Sequence, residues 1–288
     1  MKWPDELVGD IARRRAVLYL GAGVSASAAS EDDRRPPQWE EFLLRARRRL
    51  GKRVPSDTVK QLIDLGDLLG ACELLKASLD ESWPELLKQE FVAPKFRPSR
   101  LHRRLHELDL PIVLTPNFDA VYDNFVSAET NGTTVVKQYY DADLPLFLRR
   151  SYRFVLKMHG SVSEPSRMVF TRSEYARLRS EHARFMELMG SLILTHTFLF
   201  VGTSLNDPDL RLFLENYHHS HPNSPPHYMT SPRSEVSPHL DDSIRKNMNL
   251  KLLRYSPENE HSDLVESISD LILRVESERR VIADSESW

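Results

Sequence analysis

The chain has 288 residues, 40% of them hydrophobic and 28% charged, with 39 Lys and Arg against 42 Asp and Glu. That balance excludes a disordered or collagen-like chain and a dominant basic nucleic-acid footprint, and the length suits a single domain over 1–288. One cysteine, Cys72, excludes an internal disulfide and a multi-cysteine zinc site, and its ordinary role is a small buried helix residue. No apolar run approaches the roughly 20 residues of a membrane span, and MKWPDELVGDIARRR lacks a signal-peptide core, so a cytoplasmic chain is expected.

Ala16–Leu20 (AVLYL) is a short apolar run that stops at Gly21, the pattern of a buried strand entering a glycine turn. Residues 24–35 are small and then charged, a loop or a helix start followed by a loop. From about 37 to 110 the pattern is helical and without a convincing strand. Trp39, Phe42, Leu43, Ala46 and Leu50 share one helix face, and 59–79 is leucine-rich, weakened by Gly66 and Gly70. Strands return at 111–115 and 154–158, with a further candidate at 168–171. A long helix is expected over 173–194. Thr197–Val201 (TFLFV) is the clearest strand, ending at Gly202, and Pro208 suits a helix start capped by Asp207. A strand at 227–230, a helix at 234–248, a strand at Leu250–Tyr255 and a helix at 262–276 follow, with a flexible tail over 278–288.

Strands alternating with helices imply an α/β fold: a doubly wound, mostly parallel, Rossmann-like sheet. The helical stretch 37–110 is too long for one crossover and reads as an inserted subdomain over one sheet edge. The strand ends at Gly21, Thr115, His159 and Gly202 should share that edge, where ligands of such sheets bind.

Four clusters lie at those ends. Gly21-Ala22-Gly23-Val24-Ser25 would let backbone approach a pyrophosphate, although a full G-x-G-x-x-G is absent. Thr115-Pro116-Asn117-Phe118-Asp119 puts an amide and a carboxylate two residues apart. His159-Gly160 ends an apolar strand. Gly202-Thr203-Ser204 precedes a capped helix, with hydroxyls suited to ribose and phosphate. Each has an ordinary alternative: a plain turn, a helix cap, a core histidine, an N-cap loop. Tyr217-His218-His219-Ser220-His221 invites a metal site but reads as a solvated helix end. Arg45, Arg47, Arg48 and Arg49 form a solvated or partner-facing stripe.

The four clusters, taken in this order, resemble the sirtuin family, and most of all its zinc-free bacterial NADase branch. The resemblance covers the sheet and its tail; the helical insert carries no motif. Its usual loop is replaced here by SEDDRRPP, and Pro116 and Phe118 are departures. It implies NAD as substrate and no zinc. It carries Gly21, Ala22, Gly23 and Ser25 over as diphosphate-loop residues, and Asn117 and Asp119 as groups facing the nicotinamide ribose and amide. His159 becomes the catalytic base, and Gly202, Thr203 and Ser204 contact the adenosine half.

An NAD+ hydrolase using water is the activity the resemblance implies, in an antiphage effector that depletes NAD when triggered, a form of abortive infection. A deacylase or ADP-ribosyltransferase, or a non-catalytic nucleotide-sensing module, are the alternatives. Such an enzyme must be restrained, so a homo-oligomer is expected. No fused sensor is read in the chain, so a separate partner is expected too, such as a HerA-type ATPase or a short Argonaute. Neither a membrane nor direct nucleic-acid binding is expected.

Overall fold

The computed structural model describes residues 1–51, 55–150, 152–205, 208–234 and 237–285. Among them seven strands form one sheet: β1 (Ala16–Leu20), β2 (Ile112–Thr115), β3 (Val135–Gln138), β4 (Phe154–Lys157), β5 (Thr197–Val201), β6 (His227–Pro232) and β7 (Leu250–Tyr255). All pairings are parallel, in the order β3-β4-β2-β1-β5-β6-β7. This is the doubly wound, Rossmann-like α/β fold expected from the sequence. The chain leaves β1 toward β2, β3 and β4, then crosses back to β5 on the other side, so strand order reverses at β1.

β1, β2, β4 and β5 are buried at every residue, which is why they read as unbroken apolar runs rather than alternating ones. The period-2 geometry splits each run between two cores. Ala16, Leu18 and Leu20 of β1 join Leu199 and Val201 of β5 beneath the Asp5–Ala12, Arg100–Glu107 and Val121–Glu129 helices and the long C-terminal helix. Val17 and Tyr19 join Phe198 and Phe200 on the opposite face, against Phe185, Met189, Leu214 and Met248. A third core holds the helices between β1 and β2: Phe42, Leu43, Cys72, Leu75, Trp83 and Leu87 pack with Val162, Met168 and Phe170. Cys72 is fully buried there, and burial pushes its thiol well above its usual range, so it is unreactive. Of the basic stripe, Arg45 pairs with Glu41 and Glu90, and Arg47 with the Ser56 carbonyl and Asp57.

Several elements differ from the sequence reading. Residues 168–171 are not a strand: Thr171 caps the Arg172–Glu181 helix through a reciprocal bond pair with Glu174. The helix expected over 173–194 is two, Arg172–Glu181 and Ala183–Thr195, joined at His182 with ψ 46°. No residue between Leu178 and Phe185 is buried, Ala183 included, so nothing there holds the turn against the core. The leucine-rich 59–79 is likewise broken, at Gly66 with φ +77°. The edge strand β3 and the first helix, Asp5–Ala12, have no counterpart in the sequence reading. The C-terminal helix runs from Glu258 to Ser285, with left-handed residues at 259–261, and Ile282 is buried where a flexible tail was expected. Asp207, the expected cap before Pro208, lies outside the described residues.

β1 and β5 end in direct backbone contact. The Gly21 and Gly23 amides donate to the Val201 and Gly202 carbonyls at 2.9 and 2.8 Å. A Cβ on Gly21 would collide with the Gly202 carbonyl and lie 2.6 Å from Thr203 Cα. Gly202 itself has φ +64°, and a Cβ there would sit 2.5 Å from the Val24 amide. Gly21→Ala and Gly202→Ala should each cost about 1–3 kcal/mol or more in chemical denaturation. Gly190→Ala, in a helix interior with nothing within 4 Å of its Cβ, should instead stabilise by up to about 1 kcal/mol.

His102 and His227 are buried and accept main-chain bonds on Nδ1, from Ser99 at 3.2 Å and Phe198 at 3.1 Å. Burial pushes both pKa values down to about 4, against 6.5 for a free imidazole. The unfolded chain therefore binds protons that the folded one refuses. Their contribution is complete above pH 6.5 and is lost as pH falls toward 4, by about 3 kcal/mol per histidine. Melting temperature should be flat above pH 7 and fall between 6.5 and 4, and His227→Gln should shallow that fall.

Candidate active site at the carboxyl edge of the sheet

The registers bring the four sequence clusters together. Leu20 pairs with Val201, and Thr115 with Lys157, so Gly21, Asn117, His159 and Gly202 all emerge at the same sheet edge, beside the strand-order reversal.

The loop after β2 begins on Thr115. Its hydroxyl donates to the Leu20 carbonyl at 2.8 Å and accepts from the Asn117 amide at 3.1 Å, a side-chain turn that sets the direction of Asn117. The half-buried Asn117 side chain then donates through Nδ2 to the Gly21 carbonyl at 2.9 Å. This bond joins the two expected motifs directly.

Asp119 is buried and turned inward. One carboxylate oxygen accepts the Ser25 hydroxyl at 2.6 Å, and the other accepts the Val121 amide at 3.0 Å, the first amide of the Val121–Glu129 helix. Ser25 is buried with it. The pair ties the glycine turn to the Asn117 loop, while Ala22 and Ser204 are exposed and Gly23, Gly202 and Thr203 half-buried at the rim. The Gly21 and Gly23 amides are engaged by the end of β5, and the Ala22–Ala26 helix has only five residues. The turn thus brings backbone to the sheet edge but offers little helix dipole.

His159 follows β4 and is buried. Its Nδ1 lies 3.3 Å from the Tyr175 hydroxyl, and the two rings meet edge to face at 4.9 Å. Its carbonyl accepts from the Val169 amide at 2.9 Å, and Gly160 then turns at φ +80°. The returning segment places Phe170 against Phe118 at 4.6 Å and against Phe42, Trp83 and Trp39 at 5.4–5.9 Å. The helices between β1 and β2 therefore connect to the Asn117 loop through one aromatic ring.

Three contributors escape motif reasoning: Tyr175, Lys157 and Asp123. Tyr175 reads simply as a helix core residue. Lys157 carries a signal, as the one charge in the apolar run FVLKM, and it is 1% exposed. Among the described residues no group of three His, Cys, Asp or Glu is placed to hold a metal, and no helix is long and apolar enough to cross a membrane.

Residues 111–253 match the family model of the SIR2-like domain. The match takes in Asn117, Asp119, His159 and Gly202–Ser204 and begins after the Gly21 turn. Similar proteins include three called NAD(+) hydrolase ThsA. That of Acinetobacter baumannii is 25% identical over 78% of this chain and 44% of its own length. Those of Enterococcus faecium and Cytobacillus dafuensis are each 27% identical, over 72% and 69% of this chain and 40% and 37% of their own lengths. The chain thus spans less than half the length of these relatives. The motifs, the parallel sheet and the family match agree: residues 111–253 of this chain form a SIR2-like domain.

Proposed function

We propose that the chain is an NAD+ hydrolase that cleaves the nicotinamide–ribose bond with water. The observation that carries this is that Asn117 and His159 follow the neighbouring strands β2 and β4 at one sheet edge, with Asn117 bonded to the glycine turn. Relatives named as NAD(+) hydrolases support the same reading.

Breaking that bond builds positive charge on the ribose C1′. The Asn117 amide is neutral, so its side chain can hold a water at that carbon without trapping the cation. With Nδ2 given to Gly21, the amide oxygen is the acceptor that would orient the water. His159, steered on its Nδ1 side by Tyr175, accepts a proton from that water or from a ribose hydroxyl, a role worth roughly 10²–10⁴ in rate. Gly21 and Gly23 allow close backbone approach to the diphosphate, and Ala22, Thr203 and Ser204 at the rim hold the dinucleotide. Asp119 and Ser25 act from beneath, by locking the two loops together. The helices over 37–110 form a subdomain that shields the reaction from bulk water. Sirtuin deacylases clamp their peptide with a four-cysteine zinc ribbon; a chain with one buried cysteine cannot build one, which favours water as the acceptor.

In this reading the protein is a cytoplasmic antiphage effector, restrained until triggered by self-assembly and by a separate partner. Turnover is measured as nicotinamide release from NAD+, with and without an acylated peptide. Asn117→Ala should abolish release with the fold intact, and wild-type turnover in that variant would refute the assignment. His159→Ala should lose roughly 10²–10⁴ in turnover while calorimetry still shows NAD binding; lost binding with unchanged turnover at saturating NAD would make His159 a packing residue. Light scattering of the isolated chain should show an oligomer of low basal activity, and a fully active monomer would remove the restraint by assembly.

A further inference from the structure

We propose that Lys157 is a positioning residue, an internal clamp that fixes the Asn117 loop against the strand carrying His159. It is the last residue of β4, two positions before His159, and is 1% exposed. Its ammonium donates to the main-chain carbonyl of Asp119 and pairs with Asp123 Oδ2 at 2.9 Å. Asp123 is buried too, in the first turn of the Val121–Glu129 helix. One side chain of β4 thereby grips the loop at its far end and the helix that follows it.

The near end is held independently. The Met158 amide donates to the Thr115 carbonyl at 2.9 Å, and the Thr115 hydroxyl accepts from Asn117. Residues 116–120 are thus fastened on both sides, with Asn117 between the fastenings and its separation from His159 set by β4. Nothing about packing alone requires an ion pair here. Two buried charges carry a desolvation cost that an apolar pair of similar volume avoids, often with a gain in stability. Burial pushes the Asp123 carboxyl above its usual range even with Lys157 beside it, a sign of that cost. What an apolar pair cannot supply is a directed bond to the Asp119 carbonyl, which fixes the loop in one place. A small displacement of a reacting group is enough to cost turnover while leaving binding intact.

The effect on turnover rests on the NAD-cleaving reading; the clamp itself does not, so the experiment reads both. The paired variant Lys157→Met with Asp123→Leu removes both charges together, leaving no unpaired buried ion. It should fold with a melting temperature near wild type and bind NAD within about threefold, while kcat falls roughly 10–100-fold. Amide hydrogen exchange over residues 117–121 should accelerate about tenfold or more, with β1 and β5 unchanged. A folded paired variant with wild-type kcat and wild-type loop exchange overturns the assignment. So does a turnover loss that only follows a general loss of stability and NAD affinity. If the paired variant does not fold, Lys157→Met with Asp123→Asn decides. It also removes both charges and keeps the volume at 123, so loop exchange should still accelerate and kcat still fall, and wild-type values of both overturn the clamp. If the wild-type chain binds NAD but releases no nicotinamide, the hydrolase reading falls and the exchange comparison alone decides the clamp.

Discussion

The structure turns on the contact between the ends of its two central strands. β1 and β5 finish in glycines whose backbones touch, with Gly21 and Gly23 donating into the end of β5 and no room for a Cβ on Gly21 or Gly202. Strands this close hold the sheet in register at the point where its order reverses. In the proposed reading a dinucleotide would use that closeness, because a pyrophosphate meets main chain only where side chains are missing. The same glycines thus make the sheet compact and make its edge approachable.

A buried polar web builds outward from this contact. Ser25 bonds Asp119, Asn117 bonds Gly21, Thr115 bonds Leu20, and Lys157 bonds both Asp119 and Asp123. Ser25, Thr115, Asp119, Asp123 and Lys157 are buried and each makes at least one of these bonds, which is how buried polarity favours one arrangement. On the other side of the loop the tie is apolar. Phe170 packs at a tilt against Phe118 and meets Phe42 and Trp83 from the helices that precede β2. The Asn117 loop is therefore held below by hydrogen bonds and above by rings. Through Phe170, the position of the helical segment bears on the residues proposed to do chemistry.

This division explains what the sequence shows and hides. Strands buried on both faces must be continuous apolar runs, so β1, β2, β4 and β5 are legible one by one. β3 is a four-residue edge strand, its residues exposed or half-buried, and no such run marks it. Helix breaks at Gly66 and His182 are decided by where the apolar face can still reach the core, which periodicity in one segment does not reveal. Residues 168–171 are apolar like a strand, yet Phe170 serves the helical core, and Thr171 starts a helix.

For the site, residue type and position in the chain were enough to name Asn117, Asp119, His159 and the glycine turns, because each follows a strand whose end is marked by its own composition. The likeness to sirtuin-like proteins is carried by the same local strings. Orientation was not contained in them. That Asp119 and Ser25 face each other, that Tyr175 meets His159, and that Lys157 spans from β4 to the next helix depend on side chains 16 to 94 residues apart. The sequence by itself determined the parallel fold and the chemical groups at its edge, since these follow from local burial and turn chemistry. Only the tertiary structure decided which of those groups stay exposed at the edge and which turn inward to hold it in shape, because that depends on strand register, and register is a property of the assembled sheet.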